Sequence, residues 1–143
     1  MTPITVVDTG PIVAFLSHDD SDHEWAVAAF GAAAPPLFTC EAVITEACFL
    51  MRRTFKSSDG VMDLVDRGAI RLQFSLASEL DRVRSLIRRY ADTPMSLADA
   101  CLVRMSELLP AARVMTLDRD FTVYRKHGRQ TIPLAAPYAS ARK

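Results

Sequence analysis

Short runs of β-branched and apolar residues alternate along this chain with segments of helical periodicity, and that alternation confines the fold to α/β architectures. Five runs read as strands: 4–7 (ITVV), 37–39 (LFT), 69–74 (AIRLQF), 113–116 (RVMT) and 131–134 (TIPL). Between them the pattern predicts helices over 11–16, opened by Pro11, over 22–33, stopped before Pro35, and over 39–53, 57–67 and 78–90. A further helix opens at Ser96, carries Leu97, Cys101, Met105 and Leu108 as an apolar stripe, and ends at Pro110. Ser96 and Asp99 form the S-x-x-D pattern of a capping box. A helical turn is expected after Leu117, running through Tyr124, and the alanine-rich end beyond Pro137 is expected to fray. Strands separated by helices are most economically arranged as a mostly parallel sheet covered on both faces, and in such sheets functional groups collect beyond the carboxyl ends of the strands.

The bulk properties agree with one domain spanning 1–143. A chain of 143 residues and 15.8 kDa buries roughly two thirds of its unfolded surface in one core, so folding needs neither a disulfide nor a metal. No repeat, low-complexity tract or long linker divides it. The longest apolar stretch, 25–38 (WAVAAFGAAAPPLF), is too short for a bilayer and is broken by Pro35 and Pro36. With no basic region followed by a long apolar core at the N-terminus, a cytoplasmic location without membrane contact is expected. Cys40, Cys48 and Cys101 are odd in number, lack C-x-x-C spacing and lie in apolar segments, as small core residues do. Seventeen basic and seventeen acidic residues give a formal net charge of zero, so no whole-protein field draws in nucleic acid. Binding of that kind would rest on local patches: Arg52, Arg53 and Lys56; Arg84, Arg88 and Arg89; or Arg125, Lys126 and Arg129. Each of these also reads as a solvated helix face.

Four carboxylates stand in settings that a stable fold would ordinarily avoid: Asp8 after ITVV, Glu46 inside AVITEACFLM, Asp99 in SLADACLV and Asp118 in VMTLDRDF. At about 100° per residue, Glu41, Thr45 and Arg52 share one side of the 39–53 helix, and Glu46 falls instead with Val43, Ala47, Leu50 and Met51. A carboxylate there faces the interior or a cleft wall, where an unpaired charge costs several kcal/mol. Asp8 and Asp118 fall at strand ends, and Asp99 falls in a first helical turn. Brought together, these acids would make an all-oxygen site, which suits Mg²⁺ or Mn²⁺ better than zinc. Such an ion serves phosphodiester hydrolysis as Lewis acid and as a clamp on the attacking and leaving oxygens. Crowded carboxylates should also raise at least one pKa until metal arrives. Each acid has a plainer alternative: Asp8 a turn residue, Glu46 the partner of a buried arginine, Asp99 a capping acid, Asp118 and Asp120 turn residues.

The segments VVDTGPIVAFL, TEACFLMRR, MSLADACLV and VMTLDRDF, in that order, resemble the PIN-domain family, and the compact length is similar to its VapC-type toxin branch. The resemblance covers about 4–134. It implies a PIN-like three-layer α/β/α fold with a central mostly parallel sheet, a divalent-metal site binding Mg²⁺ or Mn²⁺, and endoribonuclease activity. Asp8, Glu46, Asp99 and Asp118 match the family's catalytic and metal-binding acids, and Asp120 matches an additional acid of the fourth motif. Thr9 and Thr116 match small hydroxyl positions that support them. The same resemblance implies an RNA substrate cleaved to leave a 3′-hydroxyl and a 5′-phosphate, a homodimer, and a cognate VapB-type antitoxin whose tail covers the acidic groove.

Other readings compete less well. The stretch 18–24 (HDDSDHE) is rich in metal ligands but reads more simply as a solvated loop whose acids favour the next helix N-terminus. Asp8-Thr9-Gly10 also occurs in aspartic proteases, yet that fold demands mostly strands. A phosphoryl-accepting receiver domain would need an acceptor aspartate after the third strand, where this chain has Ser75. The main alternative from another class is a catalytically silent PIN-like module that binds metal or RNA without cleaving.

Overall fold

A computed structural model describes residues 3–55 and 57–139. Lys56, one of the candidate patch residues, lies outside the described residues, as do 140–143 at the alanine-rich end. Among these residues five strands form a parallel sheet in the order β3-β2-β1-β4-β7, with β1 Thr5–Val7, β2 Leu37–Thr39, β3 Ile70–Leu72, β4 Arg113–Met115 and β7 Leu134–Ala135. Every pairing within it is parallel, as expected of strands joined through helices. The centre is β1, whose three residues are all buried. β-branched residues suit such a strand because they pack on both faces of a covered sheet.

Among the described residues six helices accompany the sheet: α1 Thr9–Leu16, α2 His23–Ala32, α3 Glu41–Phe55, α4 Asp59–Asp66, α5 Leu76–Arg89 and α6 Leu97–Leu108. Each predicted helix is present, with ends moved by a few residues. α1 begins earlier than Pro11 because Asp8 caps it, accepting from the Thr9 N–H at 2.7 Å. The capping box of α6 forms as expected: Ser96 Oγ accepts from the Asp99 N–H at 3.0 Å, and Asp99 Oδ2 accepts from the Ser96 N–H at 3.3 Å. The proposed stripe on α6 holds only in its middle. Cys101 and Met105 are buried, but Leu97 and Leu108 at the two ends are over 40% exposed, because α6 packs through nearly every residue of its central turns.

The C-terminal region differs most from expectation. Instead of one strand over 131–134, the chain forms an antiparallel hairpin of β5 Arg125–Lys126 and β6 Gln130–Thr131, then enters the sheet as β7. The turn of the hairpin has φ of 53° at His127 and 81° at Gly128, and the second value suits glycine. Beyond Pro137 the chain is anchored rather than frayed at Tyr138, whose hydroxyl donates to the Asp118 carbonyl at 2.7 Å. Lys126 is buried and is not part of a basic surface. Cys40 and Cys101 are buried core residues, as anticipated, and Cys48 is half-buried. No helix among the described residues is long and apolar enough to cross a membrane.

The outer pair α5 and α6 is held by charge. Arg82 grips Glu107 with two hydrogen bonds, at 2.9 and 2.6 Å, while Arg104 bridges Glu107 at 3.1 Å and Glu79 at 2.7 Å. The His127 N–H donates to the same Glu107 carboxylate at 2.7 Å, tying the hairpin turn to α6.

Candidate active site

Parallel pairing of β1 with β4 puts Val7 opposite Met115, so the residues that follow each strand, Asp8 and Thr116, meet at the carboxyl end of the sheet. The Asp8 N–H continues the ladder to the Met115 carbonyl at 2.9 Å. Its carboxylate is held on both oxygens, Oδ1 by the Thr9 N–H and Oδ2 by the Thr116 hydroxyl at 2.8 Å. The Thr116 oxygen also accepts from the Asp118 N–H at 2.9 Å, so one hydroxyl fixes two acidic residues from different segments. Asp118 then caps a 3-10 turn, Arg119–Thr122, accepting from the Asp120 N–H at 2.8 Å.

Asp99 arrives from the first turn of α6, aimed inward by its capping box. A second donor to its carboxylate joins the Ser96 N–H, the Tyr124 hydroxyl at 2.9 Å. Tyr124 is fully buried and packs edge-on against Tyr90 and Phe121. Glu46 arrives from α3 and accepts from the Thr9 hydroxyl at 3.0 Å. It is exposed on the cleft wall, not interior, and Leu50 beside it is also 37% exposed. Helical angle alone put both residues with the buried Val43, Ala47 and Met51; the opening lies over one edge of that apolar face and leaves them uncovered.

Asp8, Glu46, Asp99 and Asp118 therefore line one opening of about 440 Å³, together with Thr9, Ser96 and Leu50. Gly10 also lines it, and a Cβ there would stand 3.2 Å from Leu117 Cδ1, so the turn after β1 approaches the segment after β4 with little room for a side chain. Asp120 lies outside the lining and contributes its backbone N–H to Asp118. Among the described residues, no group of three or more His, Cys, Asp or Glu side chains closes into a ready-made metal cage. That includes 18–24, where His23 bonds the Ala14 carbonyl and Asp20 bonds the Asp22 N–H, the local roles of a loop and helix start.

Electrostatics mark two of these acids, Asp8 and Asp99. Burial pushes the Asp8 carboxyl up to about 6, against hydrogen bonds from Thr116 and Thr9 that favour the charged form, and the charges of Asp99 and Asp118 push it further. Asp99 is likewise raised, first by burial and less by Asp118, with the Tyr124 hydroxyl opposing. Crowding was the expected cause of a raised pKa; burial is the larger one, and crowding adds to it. Removing the Tyr124 hydroxyl would leave Asp99 without its strongest counterweight, a contribution that no spacing in the sequence signals.

The model of the PIN domain family matches residues 5–126. The chain belongs to the PIN domain family. A search of curated protein sequences finds no match. Among solved structures, the chain is similar to Mycobacterium tuberculosis VapC20, described as a sarcin-ricin loop cleaving toxin, with a TM-score of 0.72 at 18% identity, covering 83% of this chain and 93% of that one. The PIN fold, with its central parallel sheet and flanking helices, is thus the α/β arrangement that the alternating sequence pattern implied.

Proposed function

We propose that this PIN domain is a metal-dependent endoribonuclease, the toxin component of a VapBC-type toxin-antitoxin pair, with Asp8, Glu46, Asp99 and Asp118 as its catalytic acids. The observation that carries this reading is the convergence of four acids, from three helix starts or middles and a strand end, on one opening. Two of them, Asp8 and Asp99, are only 7% exposed and paired with no cation among the described residues. A fold that buries carboxylates without counter-charge costs stability unless a cation binds there. The donor set is all hard oxygen, which fits Mg²⁺ or Mn²⁺, and acids that line an opening without closing a cage fit an ion that keeps several of its waters.

When bound, such an ion supplies Lewis-acid polarisation of the scissile phosphate and a water activated for attack. The chain's own contribution is orientation. Thr116 locks Asp8 and the Asp118 backbone in one register, Tyr124 and Ser96 fix Asp99, and Thr9 holds Glu46 against the opening. Asp120, whose backbone N–H donates to Asp118, would be the additional acid of the site. The similarity to VapC20, a toxin described as cleaving the sarcin-ricin loop, supports RNA as the substrate class. Resemblance to the VapC-type branch further implies a homodimer and a VapB-type antitoxin whose tail covers the acidic opening by presenting an arginine to the carboxylates.

Millimolar Mg²⁺ or Mn²⁺ is expected to raise the melting temperature by binding the folded state, with a smaller rise in Glu46→Gln. Melting curves that ignore both ions would leave no basis for the site. For the toxin assignment, producing the chain alone in bacteria is expected to arrest growth, whereas Asp99→Asn is harmless. Normal growth in both cases favours the silent PIN-like binding module.

A further inference from the structure

Beside the acidic opening lies a second, larger cavity of about 520 Å³, lined in part by Arg119, Phe121, Thr131, Ile132, Leu134 and Tyr138. Consecutive residues link the two. Asp118 lines the first, the next residue Arg119 lines the second, and the Tyr138 hydroxyl donates to the Asp118 carbonyl between them. The Arg119 guanidinium lies 4.6 Å from the centre of the Tyr138 ring. Among the described residues Arg119 has no carboxylate within ion-pair distance, unlike Arg82 and Arg104.

We infer that this cavity is a subsite for one unpaired base of a single-stranded RNA, stacked on the Tyr138–Arg119 pair, with Arg119 also drawing in that nucleotide's phosphate. The inference rests on the ribonuclease reading for its substrate class. An unstacked base docks on an aromatic ring or a guanidinium plane, and this cavity offers both in contact. Apolar walls from Phe121, Ile132 and Leu134 accept a flat heterocycle, and its volume lies within the usual range for small-ligand pockets. A strand held by its scissile phosphate at the acids would pass Asp118 and reach this cavity with its neighbouring nucleotide. The acidic opening repels the RNA backbone, so a lone arginine at its rim has a steering role that the α5 cluster Arg84, Arg88 and Arg89, which lines neither cavity, lacks.

The test is fluorescence anisotropy with a labelled single-stranded RNA octamer, on the cleavage-silent Asp8→Asn background in Mg²⁺, using a set of octamers that each carry one abasic ribose. One abasic position is expected to weaken binding about tenfold. Tyr138→Ala should weaken the intact octamer by a similar factor and lose sensitivity to that position, while Tyr138→Phe, which keeps the ring, should retain both. Arg119→Ala should lower the slope of log affinity against log salt by about 0.7, the value of one single-strand phosphate. A flat abasic profile, or a Tyr138→Ala profile identical to its parent, overturns the subsite. Because binding is scored without cleavage, wild-type protein that fails to cut RNA while the abasic pattern holds would refute the nuclease and leave the subsite standing.

Discussion

Asp8→Asn is expected to abolish RNA cleavage and, in the absence of metal, to raise the melting temperature. The two effects have one cause. Asp8 is held at the junction of β1 and β4 with a pKa raised to about 6, above the value of about 3.9 for an unfolded aspartate. The folded state therefore binds a proton more tightly than the unfolded state, and the stability this gives is present below about pH 4 and lost as pH rises through about 6. At neutral pH the charged Asp8 costs about 3 kcal/mol by this linkage, while asparagine forfeits about 1 kcal/mol from one of the two accepted hydrogen bonds. A net gain of about 2 kcal/mol is expected in EDTA, and it should vanish at pH 4. Melting curves of both proteins at pH 4 and 7, with and without Mg²⁺, measure it. Equal stability at both pH values would mean that Asp8 is not a buried charge awaiting a cation, and undiminished cleavage would remove it from the catalytic set.

Glu107→Gln is expected to produce the largest loss of stability, with the acidic opening intact. Burial pushes this carboxyl up, but hydrogen bonds from Arg82, the His127 N–H and Arg104 outweigh burial and hold it at about 2. The sign is opposite to that of Asp8: stability from Glu107 is present above about pH 4.5 and lost as pH falls towards 2. The shift corresponds to about 3 kcal/mol at neutral pH. Glutamine keeps the shape but strands part of the Arg82 fork, whose partner side chain is only 1% exposed. Urea unfolding at pH 7 should show the loss, and the difference from wild type should shrink near pH 3. A variant as stable as wild type at pH 7 would reduce the network to surface decoration. With Asp8 and Asp99 opposing it, metal-free wild-type protein is expected to be most stable near about pH 4 to 5.

The sequence by itself determined the inventory of acids and the elements up to β4, but not the C-terminal hairpin and β7. A β-branched run bounded by Pro3 and Asp8, a capping box at Ser96 and a helical period over 39–53 are local signals, and each element formed with modest shifts at its ends. The four acids were legible because each stands next to apolar neighbours that local periodicity assigns to the core. Tertiary structure alone decided what they face. Asp8 and Thr116 touch across 108 residues because β1 and β4 are neighbours in the sheet, and strand order is not written in any window of sequence. The same holds for Glu46, which periodicity grouped with the buried side of α3 but which the edge of the opening leaves uncovered. Tyr124 and Tyr138 gave no warning, since a tyrosine in an apolar segment looks the same whether its hydroxyl meets water, a buried carboxylate or a backbone carbonyl. Periodicity records which face of an element is covered; only packing specifies what covers it, and the chemistry of this protein lies at that junction.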